Sequence, residues 1–373
     1  MSTDWTVLVG RLADELVAKG KLTTSRWQAA FRATPRHVFV PEYFVQDDAG
    51  SWRRVVVVDA TLVGVYRNVG LFTDVDADGR GVSSSSEPGL MTRMLELLDV
   101  RDGHRVLEIG TGTGYNTALL CAGLGDRQVS SIDVDYTDAA RRRLASLGYR
   151  PTLRAGDGVD GIRDRAPFDR IVATVAVPYV PGAWLDQLAD DGAILVDVKL
   201  NPVAGNLVLL RKRGDIAEGR FDAGQAWFME MRHPGRPSVR PEASVAGVPV
   251  RDTTTLPAVA WKQPVPWFLA CLAIGQPVDI GYRLDDDRRL VAARVTASDG
   301  SWAEVDTVGA ATRAVAQAGP IRLWDAVELA FQTWADNGNP TWNRLGLTVG
   351  ADGQRVWLDS PDGLTLGHLR AMP

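Results

Sequence analysis

The sequence predicts an α/β protein built on a Rossmann-like parallel sheet, with an N-terminal helical cap and a C-terminal α+β extension. Three observations carry that prediction. From residue 105 onward, short apolar runs alternate with turns and helical stretches, the pattern of parallel strands joined by helical crossovers. The run VLEI passes into the glycine-rich turn GTGTG and directly into a helix, an arrangement that lets backbone and ligand approach closely. Acidic residues then fall at the ends of successive strands, at Glu108, Asp133 and Asp157, along one edge of the expected sheet.

Residues 4–20 and 24–33 read as two amphipathic helices, followed by PRHVFVPEYF, the whole capping the sheet's edge. Strands are expected at residues 105–109, 128–133, 150–155, 168–175, 193–198 and 206–210. Helices are expected at TALLCAGLG and TDAARRRLASLG, the second closed by Gly148 in the left-handed conformation. After about residue 213 the composition shifts, and PGRPSVRPEASVAGVPVRDTTTLP reads as a connector before a second unit near Trp261. Eight of the twelve tryptophans lie beyond residue 213; most belong in a core, and a minority suit a peptide groove. GLTVGADGQRVWLDS reads as a hairpin across Asp352-Gly353. The expected organisation is therefore a cap and active-site segment over 1–104, a catalytic core over 105–213, and a substrate-handling extension over 214–373.

A chain of 373 residues with 45% hydrophobic content and net charge −5 is an ordinary globular protein without the positive field that nucleic acid demands. No signal-like start and no run of membrane length are evident, so a cytoplasmic chain with no membrane partner is expected. Cys121 and Cys271 are isolated in apolar surroundings and read as buried thiols. The dispersed histidines His37, His104, His233 and His368 give no zinc spacing. Asp74, Asp76, Asp78 and Gly79 imitate half a calcium loop, but Ser85 stands where the bidentate glutamate belongs. The run Arg141-Arg142-Arg143 reads as a solvated helix face.

The glycine turn decides the chemistry. A dinucleotide fingerprint requires glycine at position 115, which is Tyr115. Glu108, two residues before Gly110, repels a pyrophosphate and favours the ammonium of S-adenosylmethionine. Asp133, followed by Val134, suits the ribose hydroxyls; Asp157 suits the adenine amino group, and Gly158 leaves room for its ring.

PRHVFVPEYF, VYRNVGLFT, SSSSEPGLMTRMLELL, VLEIGTGTGYNTALL, AGDGVDG and APFDRIVATVAVPYVPGAWLDQLADDGAILV occur in this order over residues 24–213, and together they resemble the protein-L-isoaspartate O-methyltransferase family. The resemblance implies an S-adenosylmethionine-dependent carboxyl O-methyltransferase, with S-adenosylhomocysteine as product. It places Ser86 as the active-site serine with Ser85 beside it. Gly110, Thr111, Gly112, Gly114, Tyr115 and Thr174 would border the donor, with Val175 and Ala176 beside its methionine half and the Pro178–Trp184 loop beside the acceptor. After the serine the family has Gln or Ala and then Pro-His, whereas this chain has Glu87, Pro88 and Gly89. The C-terminal region resembles long actinobacterial enzymes that mature lanthipeptides or graspetides, implying a modified precursor peptide as partner and an aspartimide as outcome. General isoaspartate repair, small-molecule O-methylation and a non-catalytic cofactor-binding scaffold are the alternatives.

Overall fold

The computed structural model describes residues 4–48, 50–235, 248–309 and 311–370. The chain opens with helices α1 (Trp5–Ala18), α2 (Ser25–Ala33) and α3 (Arg36–Phe39) and strands β1 (Glu42–Gln46) and β2 (Trp52–Val56). Helix α4 (Leu62–Val65), strands β3 (Leu71–Val75) and β4 (Gly81–Ser85) and helix α5 (Pro88–Leu97) follow. The cap expected to be helical thus contains a four-stranded antiparallel sheet, ordered β2-β1-β3-β4. Its strands are five residues each, rich in β-branched and aromatic residues, and too short to show a clear period.

The catalytic core runs β5 (Val106–Ile109), α6 (Tyr115–Leu124), β6 (Val129–Asp133), α7 (Thr137–Ser146), β7 (Thr152–Ala155), β8 (Phe168–Val177), α8 (Gly182–Asp186), β9 (Leu188–Asn201), β10 (Ala204–Arg213) and β11 (Ile216–Phe221). All six expected strands are present, and Gly148 adopts φ 85° just past α7. Strands β5 to β9 pair in parallel, while β10 runs antiparallel to β9 because a tight turn joins them in place of a helix.

Beyond this come β12 (Val250–Thr254), α9 (Pro264–Ile274), β13 (Val278–Leu284), β14 (Leu290–Ala297), β15 (Trp302–Asp306), β16 (Arg313–Ala318), α10 (Leu323–Asp336), β17 (Leu345–Gly350), β18 (Gly353–Leu358) and β19 (Thr365–Leu369). Strands β12 to β16 form a separate five-stranded sheet. Strands β17 to β19 instead extend the central sheet through β11, giving the order β19-β18-β17-β11-β10-β9-β8-β5-β6-β7. The boundary expected at residue 213 therefore cuts through one sheet. One apolar core runs continuously from Leu107 and Ile171 through Trp267 and Trp324 to Leu369. The β17–β18 turn centres on Ala351-Asp352, since Gly350 pairs with Gly353, one residue earlier than expected. Of the eight late tryptophans, Trp261, Trp267, Trp302, Trp324, Trp342 and Trp357 are buried, whereas Trp227 is 57% exposed. Half of the expected connector, residues 236–247, lies outside the described residues.

Chain order reverses between β5 and β8, because β6 and β7 lie on one side of β5 and β8 on the other. The carboxyl ends of these strands thus open into a crevice where such sheets bind ligands. Arg36 fixes the wall facing that crevice. Only 1% exposed, its guanidinium donates to the carbonyls of Val65 and Arg67 through Nη1, and of Val69, Ser85 and Ser86 through Nη2, at 2.9–3.2 Å. Its Nε donates to Ser85 Oγ at 3.2 Å. Burial pulls Arg36 down to about 10, which still leaves it charged at neutral pH. Replacing it by methionine strands at least five acceptors, so Arg36→Met should cost at least about 3 kcal/mol in urea denaturation. A loss within about 0.5 kcal/mol, the range of an ordinary surface change, would show that the staple is dispensable.

Candidate functional site

A cavity of about 500 Å³ occupies the crevice. Its floor is the turn between β5 and α6, with Gly110, Thr111, Gly112, Tyr115 and Asn116, and the ends of β6 and β8, with Ile132, Asp133, Val134, Thr174 and Val175. Its wall is the end of β4 and the start of α5, Ser83 through Glu87, with Lys21 and Phe72. Close approach explains two glycines. A Cβ on Gly110 would stand 2.9 Å from Thr174 Oγ1 and Val175 Cγ1, and one on Gly158 would stand 2.7 Å from Ile109 Cγ2 and Met231 Sδ. Gly114, with φ 88°, lies behind the turn against Ala140 rather than on the cavity.

Asp133 is partly buried at the cavity edge, Oδ2 accepting from Gly112 N–H at 2.8 Å and Oδ1 from Asp135 N–H at 3.1 Å. Each oxygen keeps a further lone pair for a ligand hydroxyl. Gly158 lines the cavity with Ile132 and Met231, and Met231 Sδ packs directly against it. Asp157 lies just behind it, accepting from Val159 N–H at 3.0 Å and facing His233 Nδ1 at 3.0 Å. Thr174 turns its hydroxyl back to Gly110 O at 2.6 Å and so clasps the glycine turn to β8. Thr111 Oγ1 and Ser131 Oγ lie 2.6 Å apart.

Glu108 does not face the cavity. Completely buried, it accepts from Asn116 Nδ2 at 2.8 Å, Thr117 Oγ1 at 2.5 Å and Ser131 Oγ at 2.7 Å. Sealed from the cavity and held by three donors, it braces the glycine turn against α6 and β6 rather than receiving a ligand ammonium. Burial pushes its carboxyl up to about 7, against the opposing pull of those hydrogen bonds.

Of the two serines, Ser86 is half-buried on the cavity wall, whereas Ser85 is 2% exposed and its Oγ accepts from Arg36 Nε. Ser85 therefore holds the segment in place. Ala176 and the Pro178–Trp184 loop also depart from expectation. Ala176 is buried, and Val180 is pinned from behind by Gln354 of β18, whose side chain accepts from Val180 N–H at 3.0 Å and donates to Val180 O at 2.6 Å.

The place expected for that loop belongs to a strap that sequence reading passed over, Gln225–Arg232, all eight residues of which line the cavity. Ala176 N–H donates to Met229 O and Met231 N–H to Ala176 O, both at 2.8 Å. Beneath it the buried Asp197 accepts from Phe228 N–H at 3.1 Å and faces Lys199 Nζ at 3.1 Å, while Lys199 donates to Phe228 O at 2.5 Å. Burial raises the Asp197 carboxyl, against the opposing pull of Lys199. Arg93 holds one end of the strap through Gly224 O and Gln225 O. At the other end Arg232 pairs with Asp135 at 2.7 Å and lies over the Tyr136 ring. The largely apolar run AWFMEM before the connector, interrupted by Glu230, was the available signal.

Other candidates resolve locally. Asp76 Oδ1 accepts from Asp78 and Arg80 N–H in the β3–β4 turn, and Asp74 accepts from Tyr136 Oη. Arg141 and Arg142 are exposed as expected, Arg141 also reaching Leu153 O, whereas Arg143 is half-buried and donates to Thr113 O. His37 contacts Tyr66 Oη at 2.6 Å, and both cysteines are buried and unpaired. Among the described residues no helix is long and apolar enough to cross a membrane.

The family described as Protein-L-isoaspartate(D-aspartate) O-methyltransferase matches residues 9–222. A protein-L-isoaspartate O-methyltransferase of Methanothermobacter thermautotrophicus is 31% identical over 207 residues, covering 54% of this chain and 84% of its own. One from Archaeoglobus fulgidus is 34% identical over 196 residues, covering 52% and 78%. A solved protein-L-isoaspartate O-methyltransferase shares the fold at TM-score 0.58 and 22% identity, over 94% of this chain and all of that one. The C-terminal region therefore has a counterpart in that fold.

The raised Glu108 carboxyl has a measurable sign. A folded-state value of about 7 against an unfolded 4.5 means folding takes up a proton between those values. Stability from this group is full below pH 4.5 and is lost as pH rises through 7. Relative to Glu108→Gln, the wild-type chain should be more stable at pH 5 than at pH 8 by on the order of 1–3 kcal/mol in urea melts; parallel pH profiles would contradict the assignment.

Proposed function

The chain belongs to the protein-L-isoaspartate(D-aspartate) O-methyltransferase family, and from that membership we propose that it esterifies an aspartyl or isoaspartyl carboxylate of a peptide at Ser86, using S-adenosylmethionine. The observation that carries this reading is the alignment of Gly158, Asp133, Gly110 and Ser86 around one cavity at the sheet's switch point. The residues suit the donor: an apolar end lined by Ile132, Gly158 and Met231 for a flat base, the Asp133 carboxylate for a diol, and the glycine turn between them.

When bound, S-adenosylmethionine supplies an electrophilic methyl group on a sulfonium. The acceptor needs no general base, because a carboxylate is already ionised near neutral pH. Its oxygen forms the new C–O bond while the S–C electrons remain on sulfur, so both charges vanish. Strong fixed charges beside it would hold the reactants more than the transition state. Accordingly Arg93 is paired with Asp222 at 3.3 Å and Arg232 with Asp135, rather than aimed singly into the cavity. Ser86 donates one hydrogen bond that orients the acceptor, and the strap excludes water.

We further propose that the natural acceptor lies in a ribosomally made, already modified precursor peptide. There the ester is displaced by the next backbone nitrogen, methanol leaves, and an aspartimide remains. The exposed Phe72 and Trp227 at the cavity mouth support a specialised peptide. General repair is favoured by one observation, the 94% coverage by a protein-L-isoaspartate O-methyltransferase fold, which leaves the C-terminal region without a distinctive role. Truncation at residue 213 cannot separate the two, because it strips β17–β19 from the sheet.

Mass spectrometry of reactions with S-adenosylmethionine decides. A methyl ester followed by net loss of water on a cyclised Asp-containing precursor alone is expected, whereas equal methylation of a plain isoaspartyl peptide means repair and no transfer to either refutes the proposed acceptor. Ser86→Ala should lower kcat/KM on the order of 10²-fold through misalignment, and an unchanged value removes Ser86 from the site.

A further inference from the structure

The turn after α1 places Lys21 at the cavity wall, opposite the start of α5. Lys21 Nζ lies 3.3 Å from Glu87 Oε1, which also accepts from Asn68 Nδ2 at 2.9 Å. Asn68 Oδ1 accepts in turn from Gly89 N–H at 2.7 Å. Lys21 and Glu87 both line the cavity and keep side-chain exposures of 34% and 38%. An ammonium carries three donors, and Glu87 engages one of them. The other cations of the wall, Arg93 and Arg232, are committed to the strap and its supports.

Gly89 belongs to the same arrangement. A Cβ there would stand 2.9 Å from Asn68 Oδ1 and 3.0 Å from both Lys21 Cδ and Leu16 Cδ2. Any side chain at 89 would push the lysine stem aside. The two departures from the family pattern, Glu87 and Gly89, are thus one feature: the glycine clears the path of Lys21, and the glutamate receives its ammonium.

We propose that Lys21 and Glu87 hold the amino-acid head of the methyl donor, Lys21 taking its carboxylate and Glu87 its ammonium. This rests on the donor reading given above. With the base at Gly158 and Met231 and the ribose at Asp133, the methionine portion runs past Gly110 towards Ser86 and Glu87. An α-amino acid head presents opposite charges a few ångströms apart, and this pair matches it charge for charge. Without ligand the two groups neutralise each other, and with ligand each exchanges one partner for another of the same sign. Glu108, assigned to the ammonium from sequence, is sealed away and leaves that role open. The acceptor carboxylate is the other anion available to Lys21. It loses its charge during transfer, so a fixed lysine there would oppose the reaction, whereas the donor carboxylate stays charged throughout.

Calorimetric binding to the full chain tests this without turnover. The ligands are S-adenosylhomocysteine, its decarboxylated analogue, which keeps the amine, and methylthioadenosine, which lacks the head. Lys21→Met should weaken S-adenosylhomocysteine roughly tenfold, the size of one partly exposed charge-assisted hydrogen bond. It should leave the decarboxylated analogue and methylthioadenosine unchanged. Glu87→Gln should weaken S-adenosylhomocysteine and the decarboxylated analogue alike and spare methylthioadenosine. Unchanged S-adenosylhomocysteine affinity in Lys21→Met, including the case where only the KM for the peptide rises, overturns the proposal and leaves the donor reading standing. Equal loss of all three ligands in both variants makes the pair a structural brace and overturns it too. Failure of the wild-type chain to bind S-adenosylhomocysteine refutes the donor reading itself.

Discussion

The site depends on one buried cation. Arg36 leaves a four-residue helix, enters the space between the cap and the glycine turn, and there bonds the carbonyls of one segment, Val65 to Val69, the backbone of Ser85 and Ser86, and the Ser85 hydroxyl. A guanidinium in such a place is tolerable because its planar fork reaches several acceptors at once. The same contacts oblige the serine segment to stand where it does. Ser85 Oγ accepts from the staple, and Ser86, one residue on, faces the cavity. A lysine would satisfy fewer of these acceptors and leave the segment free to shift.

The opposite side of the cavity is closed by a different device. The strap crosses over the end of β8 and is held from beneath by the buried Asp197–Lys199 pair, which grips both backbone groups of Phe228. Isolated buried pairs add little net stability, but here each charge also bonds the chain it positions. The strap thereby brings Met231 against Gly158 and Trp227 to the cavity mouth. One side of the cavity is thus formed by one short segment whose anchors lie in the core of the sheet.

The central sheet was legible because its strands are buried on both faces and its crossovers have helical length, so β5 to β10 announce themselves as apolar runs between turns. That Asp133 and Gly158 converge on one cavity was legible for the same reason, since topology alone brings strand ends together. Glu108 was misassigned because sequence gives its position beside the turn but not the direction of its side chain. That direction depends on Asn116, Thr117 and Ser131, which come from two other elements. The strap and the continuation of the sheet through β17–β19 were hidden because both depend on pairing between segments more than fifty residues apart. Lys21 was invisible for a related reason: its partner is set by the space that Gly89 leaves open, and no local pattern encodes that.

What unites these features is the claim that one cavity, floored by the glycine turn and roofed by the strap, is the donor site. Hydrogen–deuterium exchange with and without S-adenosylhomocysteine tests it most directly. The account predicts slowed exchange in residues 110–116 and 225–232 together, with strands β13 to β15 unaffected. Protection absent from the glycine turn, or confined to the C-terminal sheet, would contradict it.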